Sequence, residues 1–278
     1  MGASVPVSFE FFPPNTPVGS EKLKTVVQDL AAAKPEFFSV TYGAGGSTRD
    51  KTLATVRDIA AMGYEAAPHL SCIGSTAESI SEILATYRAQ GIRRIVALRG
   101  DLPSGMATAG EFRYASELIE FIRQTQGDDW HIEVAAYPEY HPQQRYIRKD
   151  LEHFAHKVKM GADSAITQFF FNPDAYFHFV DEVRALGVTV PIVPGIMPFH
   201  NYGRIAQIAA RDGIDIPRWV ALKMEGYMDD AASIRAFGID VVTRLCERLI
   251  AGGVPSIHFY ALNQSGTTLE ICRRLGLA

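Results

Sequence analysis

The sequence predicts an α/β protein in which eight β-α units close into a (β/α)8 TIM barrel, a single domain over residues 1–278. Short apolar runs recur along the chain, and each is followed by an amphipathic stretch, as in parallel α/β folds. No linker rich in Pro, Ser or Gly and no run of like charges interrupts this alternation. The length suits one barrel, and a doubly wound open sheet is the main alternative.

The predicted strands are the apolar runs, and the predicted helices are the amphipathic stretches between them. Strands are expected at Val7–Phe12, Phe37–Gly43, Glu65–Cys72, Arg93–Gly100, His131–Pro138, Ala165–Phe171, Pro191–Ile196 and Ile257–Leu262. Helices are expected at Ser20–Ala33, Thr48–Met62, Thr76–Gln90, Glu111–Gln126, Tyr146–Met160, Asp174–Leu186, Tyr202–Arg211, Asp229–Ala251 and Thr267–Leu275. In the fourth helix Phe112, Ala115, Ile119 and Ile122 share one stripe, which predicts packing on a barrel.

Composition excludes several classes of function. Hydrophobic residues make up 47% of the chain and charged residues 21%, and the net charge of −4 offers no basic surface for nucleic acid or an anionic membrane. The first residues do not resemble a signal peptide and no apolar run could span a membrane, so a cytoplasmic protein is expected. Cys72, Cys246 and Cys272 lack metal-ligand spacing, which argues against disulfides and a zinc site.

The stretch RRIVALRGDLP, at Arg93–Pro103, is a buried strand that ends on charged residues. Its apolar positions lie on both faces, as in parallel strands covered by helices. Arg99, Gly100 and Asp101 then fall at the carboxyl end of the strand, where α/β barrels bind their ligands. The triplet therefore predicts a ligand site, and a surface ion pair is the alternative.

Glu10 is an unusual residue for the first strand, because SFEFFPP places it among phenylalanines. Side chains alternate along a strand, so Ser8 and Glu10 share one face while Phe9 and Phe11 share the other. Glu10 is therefore expected to point into the barrel near its mouth. Burial there would raise the pKa of its carboxyl group and suit it to general acid catalysis. A structural ion pair with an arginine is the alternative.

Two further strand ends carry polar or flexible residues. In TYGAGGSTRD, the residues Gly43, Gly45 and Gly46 allow the backbone to approach a ligand closely. This stretch matches neither a dinucleotide fingerprint nor a P-loop, and a tight turn is the alternative. His69 ends the third strand, where it could contact a ligand or be a hydrogen-bonded core histidine.

The second half of the chain adds a helix and a strand of interest. Asp150, His153 and Lys157 recur at i, i+3 and i+7, so they share one helix face. That face could hold a ribose and a pyrophosphate, or it could simply face solvent. Gln168 lies in the aromatic strand AITQFFF, where a buried amide needs hydrogen-bond partners.

Eight motifs, in order, resemble those of methylenetetrahydrofolate reductases. They are SFEFFPP, SVTYGAGGSTRD, AAPHL, VALRGDLP, AAYPEYHP, ITQFFF, PGIMP and HFYALN. The resemblance runs from Val7 to the C-terminus and is specific as an ordered set, although each motif alone is weak. It is closest to the bacterial form, which consists of the catalytic barrel alone.

The resemblance implies a flavoprotein of one-carbon metabolism and methionine biosynthesis. Its FAD would take a hydride from NADH or NADPH and pass it to 5,10-methylenetetrahydrofolate, giving 5-methyltetrahydrofolate in a ping-pong reaction at one site. Another FAD barrel, such as a proline dehydrogenase-like enzyme, and a non-catalytic pterin-binding barrel are the alternatives. The nicotinamide preference and a homo-oligomeric state stay open.

The resemblance also implies roles for individual residues. Glu10 matches the general acid, Asp101 a pterin ligand beside the flavin, Gln168 the amide that contacts folate and nicotinamide, and Thr41 a residue of the nicotinamide site. The FAD contacts would be Tyr42, Ala44, His69, Arg99, Gly100, Asp101, Tyr114, Ala115, Tyr137, His141, Asp150, His153 and Lys157. Two positions depart from enterobacterial members, where a Phe and an Arg stand in place of Ile208 and Gln264. Both belong to contacts with the folate tail or the dinucleotide.

Overall fold

The computed structural model describes residues 5–43, 48–101, 110–142 and 144–278. Within these ranges, nine parallel strand segments form one sheet in the order β7-β6-β5-β4-β3-β2-β1-β9-β8. Its two ends, β7 (Ile192–Val193) and β8 (Gly195–Ile196), are separated only by Pro194. Because β7 pairs with β6 and β8 pairs with β9, this interrupted strand closes the sheet. The predicted (β/α)8 barrel is confirmed, and the open sheet is excluded.

The elements follow the predicted order with one addition. The other strands are β1 Val7–Phe11, β2 Phe38–Val40, β3 Ala66–Ser71, β4 Arg94–Leu98, β5 His131–Ala136, β6 Ser164–Thr167 and β9 Ile257–Tyr260. The helices are α1 Pro17–Leu30, α2 Arg49–Ala61, α3 Ala77–Ala89, α4 Ala115–Gln126, α5 Ile147–Lys159, α6 Pro173–Ala185, α7 Tyr202–Asp212, α8 Arg218–Gly226, α9 Ala231–Ala251 and α10 Gly266–Arg274. A 3-10 turn at Ala31–Ala33 follows α1.

Helix α8 was not predicted from the sequence. It has nine residues and buries only Val220 and Met224, which lie one turn apart. Two buried residues one turn apart are too few to show a helical period in the sequence.

In the described ranges, no helix is both long and apolar enough to cross a membrane. Cys72, Cys246 and Cys272 are buried free thiols.

Alternation along β1 determines which side chains enter the barrel. Phe9 and Phe11 face away from the barrel interior and into the hydrophobic core around it. Both rings stack on Phe38 there, at ring-centroid distances of 5.8 and 5.5 Å. Such offset aromatic pairs add to the stabilisation from buried area. Ser8 and Glu10 therefore face inward, as predicted, and Glu10 is opposite Tyr260 of β9 in the register.

A buried ionic network occupies the N-terminal half of the barrel. The Glu133 carboxylate accepts from Arg94 Nη1 at 2.6 Å and lies 3.0 Å from His131 Nε2. Ser164 Oγ donates to its second oxygen, and the Arg94 guanidinium lies 4.5 Å from the centroid of the Phe37 ring. Burial raises the pKa of Glu133, but these partners lower it more, so the net pKa is below its usual value. This network lies away from the mouth.

Candidate active site

Three inward-facing side chains meet where β1, β3 and β9 end. Glu10 Oε2 lies 3.1 Å from His69 Nε2 and 3.6 Å from His258 Nε2. The Nδ1 atom of His258 lies 2.7 Å from Ser8 Oγ, so the hydroxyl orients the second imidazole. The side chain of Glu10 is 16% exposed, that of His69 8% and that of His258 0%. A carboxylate between two imidazoles can hold and pass on a proton.

The pKa of Glu10 is shifted in the direction opposite to the prediction. Burial alone raises this pKa, but the neighbouring His69 and His258 lower it by more, so the net pKa is about 2. Desolvation raises the pKa as predicted, but the histidines on β3 and β9 outweigh it. The prediction of a raised pKa was therefore wrong. Within the described residues, the ion-pair partners of Glu10 are histidines, so the alternative of an arginine partner does not apply either.

The Arg99–Asp101 turn requires glycine at its centre. Gly100 has φ of +80°, and a Cβ atom there would overlap the Ser71 hydroxyl. That hydroxyl donates to the Arg99 carbonyl at 2.9 Å. Glycine is therefore required here both by the positive φ and by the close packing of Ser71. Asp101 is exposed at the mouth.

The polar face of α5 lies against the loop that follows β5. Asp150 Oδ2 accepts from the His141 backbone N–H at 2.9 Å, and the Tyr137 and His141 rings lie 4.6 Å apart. Lys157 Nζ donates to the Ala135 carbonyl. Burial lowers the pKa of Lys157 to about 8, although Asp150 opposes the shift. Asp150 thus faces the loop after β5 and Lys157 the end of the strand itself, so the solvent alternative does not apply to them.

The remaining predicted residues are less closely grouped. Thr41 accepts from Thr52 Oγ1 through its carbonyl at 2.9 Å, and burial raises the pKa of Tyr42. Tyr114 is exposed, directly before Ala115 at the start of α4. His153 and Gln264 are also exposed. Ala44 lies outside the described residues, so its predicted contact stays a prediction.

Gln168 has a partner that the sequence did not reveal. Its Nε2 donates to Asp212 Oδ2 at 3.3 Å, and Asp212 also accepts two bonds from Arg211, at 2.6 and 2.8 Å. Burial, followed by the charges of Asp101, Asp150 and Asp212, raises the pKa of the Tyr137 phenol. Asp212 at the end of α7 is therefore part of the same mouth.

His258 and Tyr260 were also missed, although both lie in the HFYALN motif. The Tyr260 hydroxyl donates to the Thr167 carbonyl at 2.7 Å, and its ring packs where a Cβ atom on Gly195 would clash. Their inward direction follows from the period of two along β9. That pattern could have identified them, since His258 and Tyr260 alternate with outward-facing Phe259.

Comparison with known proteins gives the family. The sequence model for "Methylenetetrahydrofolate reductase" matches residues 2–276. The chain belongs to the methylenetetrahydrofolate reductase family. The resemblance inferred from eight motifs is thereby confirmed, and the family supports reduction of methylenetetrahydrofolate, an oxidoreductase activity.

Individual relatives agree with this assignment. The 5,10-methylenetetrahydrofolate reductase of Escherichia coli (strain K12) is 40% identical over 272 residues, which are 98% of this chain and 90% of that protein. "Methylenetetrahydrofolate reductase (NADH) 1" of Arabidopsis thaliana is 37% identical over 284 residues, which are 97% of this chain and 48% of that protein. Both are similar across nearly the whole of this chain.

One solved structure has a similar fold. It is an uncharacterized protein from Clostridium thermocellum that binds two copies of 5-methyl-5,6,7,8-tetrahydrofolic acid. The TM-score is 0.69 at 17% identity, with 99% of this chain and 94% of that chain covered. At this identity the likeness extends to the fold alone.

Proposed function

We propose that this chain is an FAD-dependent reductase that converts 5,10-methylenetetrahydrofolate to 5-methyltetrahydrofolate with NADH or NADPH as the hydride donor. The observation that carries the proposal is the buried Glu10 carboxylate between two imidazoles, at the mouth that also bears the Arg99–Asp101 turn. Opening of the folate ring needs a proton donor, and this cluster can provide one. The two substrates would use the mouth in turn.

The residues around the mouth fit FAD. Arg99 at the end of β4, and Lys157, whose Nζ lies on the Ala135 carbonyl near the end of β5, offer cations for a pyrophosphate. The other proposed contacts are Thr41, Tyr42, Ala44, His69, Asp101, Tyr114, Ala115, Tyr137, His141, Asp150 and His153. Bound FAD would supply the two-electron carrier between the nicotinamide and the folate.

Glu10 is the proposed general acid, and its pKa of about 2 makes it a carboxylate before folate binds. A proton can reach it through the neighbouring imidazoles, whose Nε2 atoms lie 3.1 and 3.6 Å from Oε2. Folate above Glu10 would exclude water and disfavour the carboxylate, which would raise the pKa of Glu10. Glu10 would then protonate the folate ring nitrogen as the ring opens.

Asp101→Asn is expected to raise the midpoint potential of the bound flavin. The carboxylate disfavours the anionic reduced flavin and favours the folate cation, so its loss should slow folate reduction more than flavin reduction. Spectroelectrochemical titration gives the potential, and stopped flow gives both rates. An unchanged potential would mean that Asp101 is not close to the isoalloxazine.

Lys157→Glu is expected to weaken FAD retention, because a carboxylate beside the pyrophosphate replaces attraction with repulsion. Lys159→Glu, an exposed change on the same helix, is the matched control. The pKa of Lys157, about 8, also predicts that FAD affinity holds at neutral pH and falls as pH rises above about 8, where the cation is lost. Flavin content after gel filtration measures both effects. Equal content in Lys157→Glu and wild type would count against this role.

Stopped-flow reduction of the purified protein by NADH and by NADPH tests the first half of the proposed reaction. Bleaching of the flavin band by either donor supports the reductase, and the faster donor is the preferred one. A preparation that is colourless and cannot be reconstituted with FAD would favour a pterin-binding barrel. Flavin reduction by proline, without reduction by either nicotinamide, would favour a proline dehydrogenase-like enzyme.

A further inference from the structure

Gln168 is held at the barrel mouth by a hydrogen-bonded relay from α7. The amide Nε2 donates to Asp212 Oδ2 at 3.3 Å. Arg211 donates to both oxygens of the same carboxylate, through Nε at 2.6 Å and Nη2 at 2.8 Å. The Asp212 side chain is 19% exposed, whereas that of Arg211 is 73% exposed. The relay therefore runs from the solvent edge of the mouth to an inward-facing amide.

The chemistry of this contact determines the orientation of the amide. An ionised carboxylate only accepts hydrogen bonds, so the nitrogen of Gln168 must face Asp212 and the carbonyl oxygen must face away. A bidentate arginine pair restricts the plane of the carboxylate, which keeps its oxygen directed at the amide. The backbone N–H of Gln168 also donates to the Ala136 carbonyl at 2.7 Å, which fixes the base of the side chain.

We propose that Asp212, clamped by Arg211, is a positioning residue that presents the Gln168 carbonyl oxygen as a hydrogen-bond acceptor to both substrates. The inference rests on the proposed function. Nicotinamide has a carboxamide NH2, and the pterin has an amino group and a ring N–H. One fixed acceptor thus recognises a feature that two otherwise different substrates share.

The orientation of the Gln168 amide predicts that replacing the Asp212 carboxylate weakens substrate binding. Asp212→Asn keeps the shape, but its amide can donate as well as accept, so Gln168 can turn its nitrogen towards the mouth. Loss of one oriented hydrogen bond should raise KM for the nicotinamide and for folate by roughly tenfold, with kcat within a few-fold of wild type. The dissociation constant of the oxidised protein for 5-methyltetrahydrofolate, measured by calorimetry, should rise by a similar factor without any turnover.

A double-mutant cycle separates positioning from a general structural effect. Once Gln168→Leu has removed the amide, Asp212→Asn should have no further effect on either affinity. Arg211→Ala, an exposed change that threatens folding little, should shift both affinities in the same direction as Asp212→Asn. Asp240→Asn, in the exposed ion pair with Arg274, is the control and should change neither affinity.

Three results would overturn the inference. They are unchanged affinities in Asp212→Asn, additive effects of Asp212→Asn and Gln168→Leu, and a joint fall of melting temperature, flavin content and kcat that accounts for the whole defect. Failure of the proposed function is a different result, because the wild-type protein itself would then neither bind nor reduce the folate.

Discussion

Glu10→Gln is expected to slow the reduction of methylenetetrahydrofolate by about 100- to 10,000-fold, the usual range for loss of a general acid. Glutamine keeps the shape of the side chain but has no proton to give. Reduction of the flavin by the nicotinamide needs no such proton, so it should stay within a few-fold of wild type. Single-turnover measurements of the two half-reactions separate these effects.

Glu10→Gln is also expected to lower the stability at neutral pH. The pKa of Glu10 is lowered to about 2 on folding, so its ionised form stabilises the fold, and glutamine lacks that charge. The melting temperature should therefore fall, while flavin reduction measured below the melting transition should stay near that of wild type. A joint loss of stability and of both half-reactions would indicate a structural role. Folate reduction at the wild-type rate would exclude Glu10 as the acid.

Glu133→Gln is expected to lower stability with little change in either half-reaction. It would leave the Arg94 guanidinium beside a neutral amide, with Glu65 as its remaining carboxylate partner at 2.7 Å, so the loss should stay below the roughly 3–5 kcal/mol typical of a buried pair broken completely. Urea denaturation measures the loss. Single-turnover assays below the melting transition should find both rates near those of wild type.

The lowered pKa of Glu133 determines the pH dependence of this contribution. A carboxyl group whose pKa is lower in the folded chain than in the unfolded chain stabilises the fold at pH values above its unfolded pKa, about 4.3. That stabilisation is lost as the pH falls through the folded pKa. Wild type and Glu133→Gln should therefore converge in stability at acid pH. The Asp240→Asn control should lose little at any pH, since its ion pair with Arg274 is exposed. A Glu133→Gln protein as stable as wild type at neutral pH would contradict the account.

The alternation of side chains along β1 predicts that Glu10 points into the barrel, but it does not predict the pKa of the carboxyl group. The period of two along β1 is enough to place Ser8 and Glu10 inside the barrel. The pKa depends first on His69, which approaches from β3, and then on His258, which is 248 positions further along the chain and approaches because β9 pairs with β1. Burial of Glu10 could therefore be predicted from β1 alone, whereas its imidazole neighbours could not.

For Gln168 and for the closing strand too, the local sequence predicts the position but not the contacts with other parts of the chain. The amide was recognised as needing partners, but Asp212 comes from α7, and its approach depends on how that helix packs over the mouth. Predicting one strand at Pro191–Ile196 was correct in location. Its division into two segments follows from Pro194, which has no N–H to donate to a neighbouring strand.

The most direct test of the central claim is a single turnover with prereduced protein. Under anaerobic conditions, protein reduced by one equivalent of NADH or NADPH is mixed with 5,10-methylenetetrahydrofolate. The account predicts return of the oxidised flavin spectrum together with one equivalent of 5-methyltetrahydrofolate per flavin. A flavin that stays reduced, with no 5-methyltetrahydrofolate formed, would contradict it.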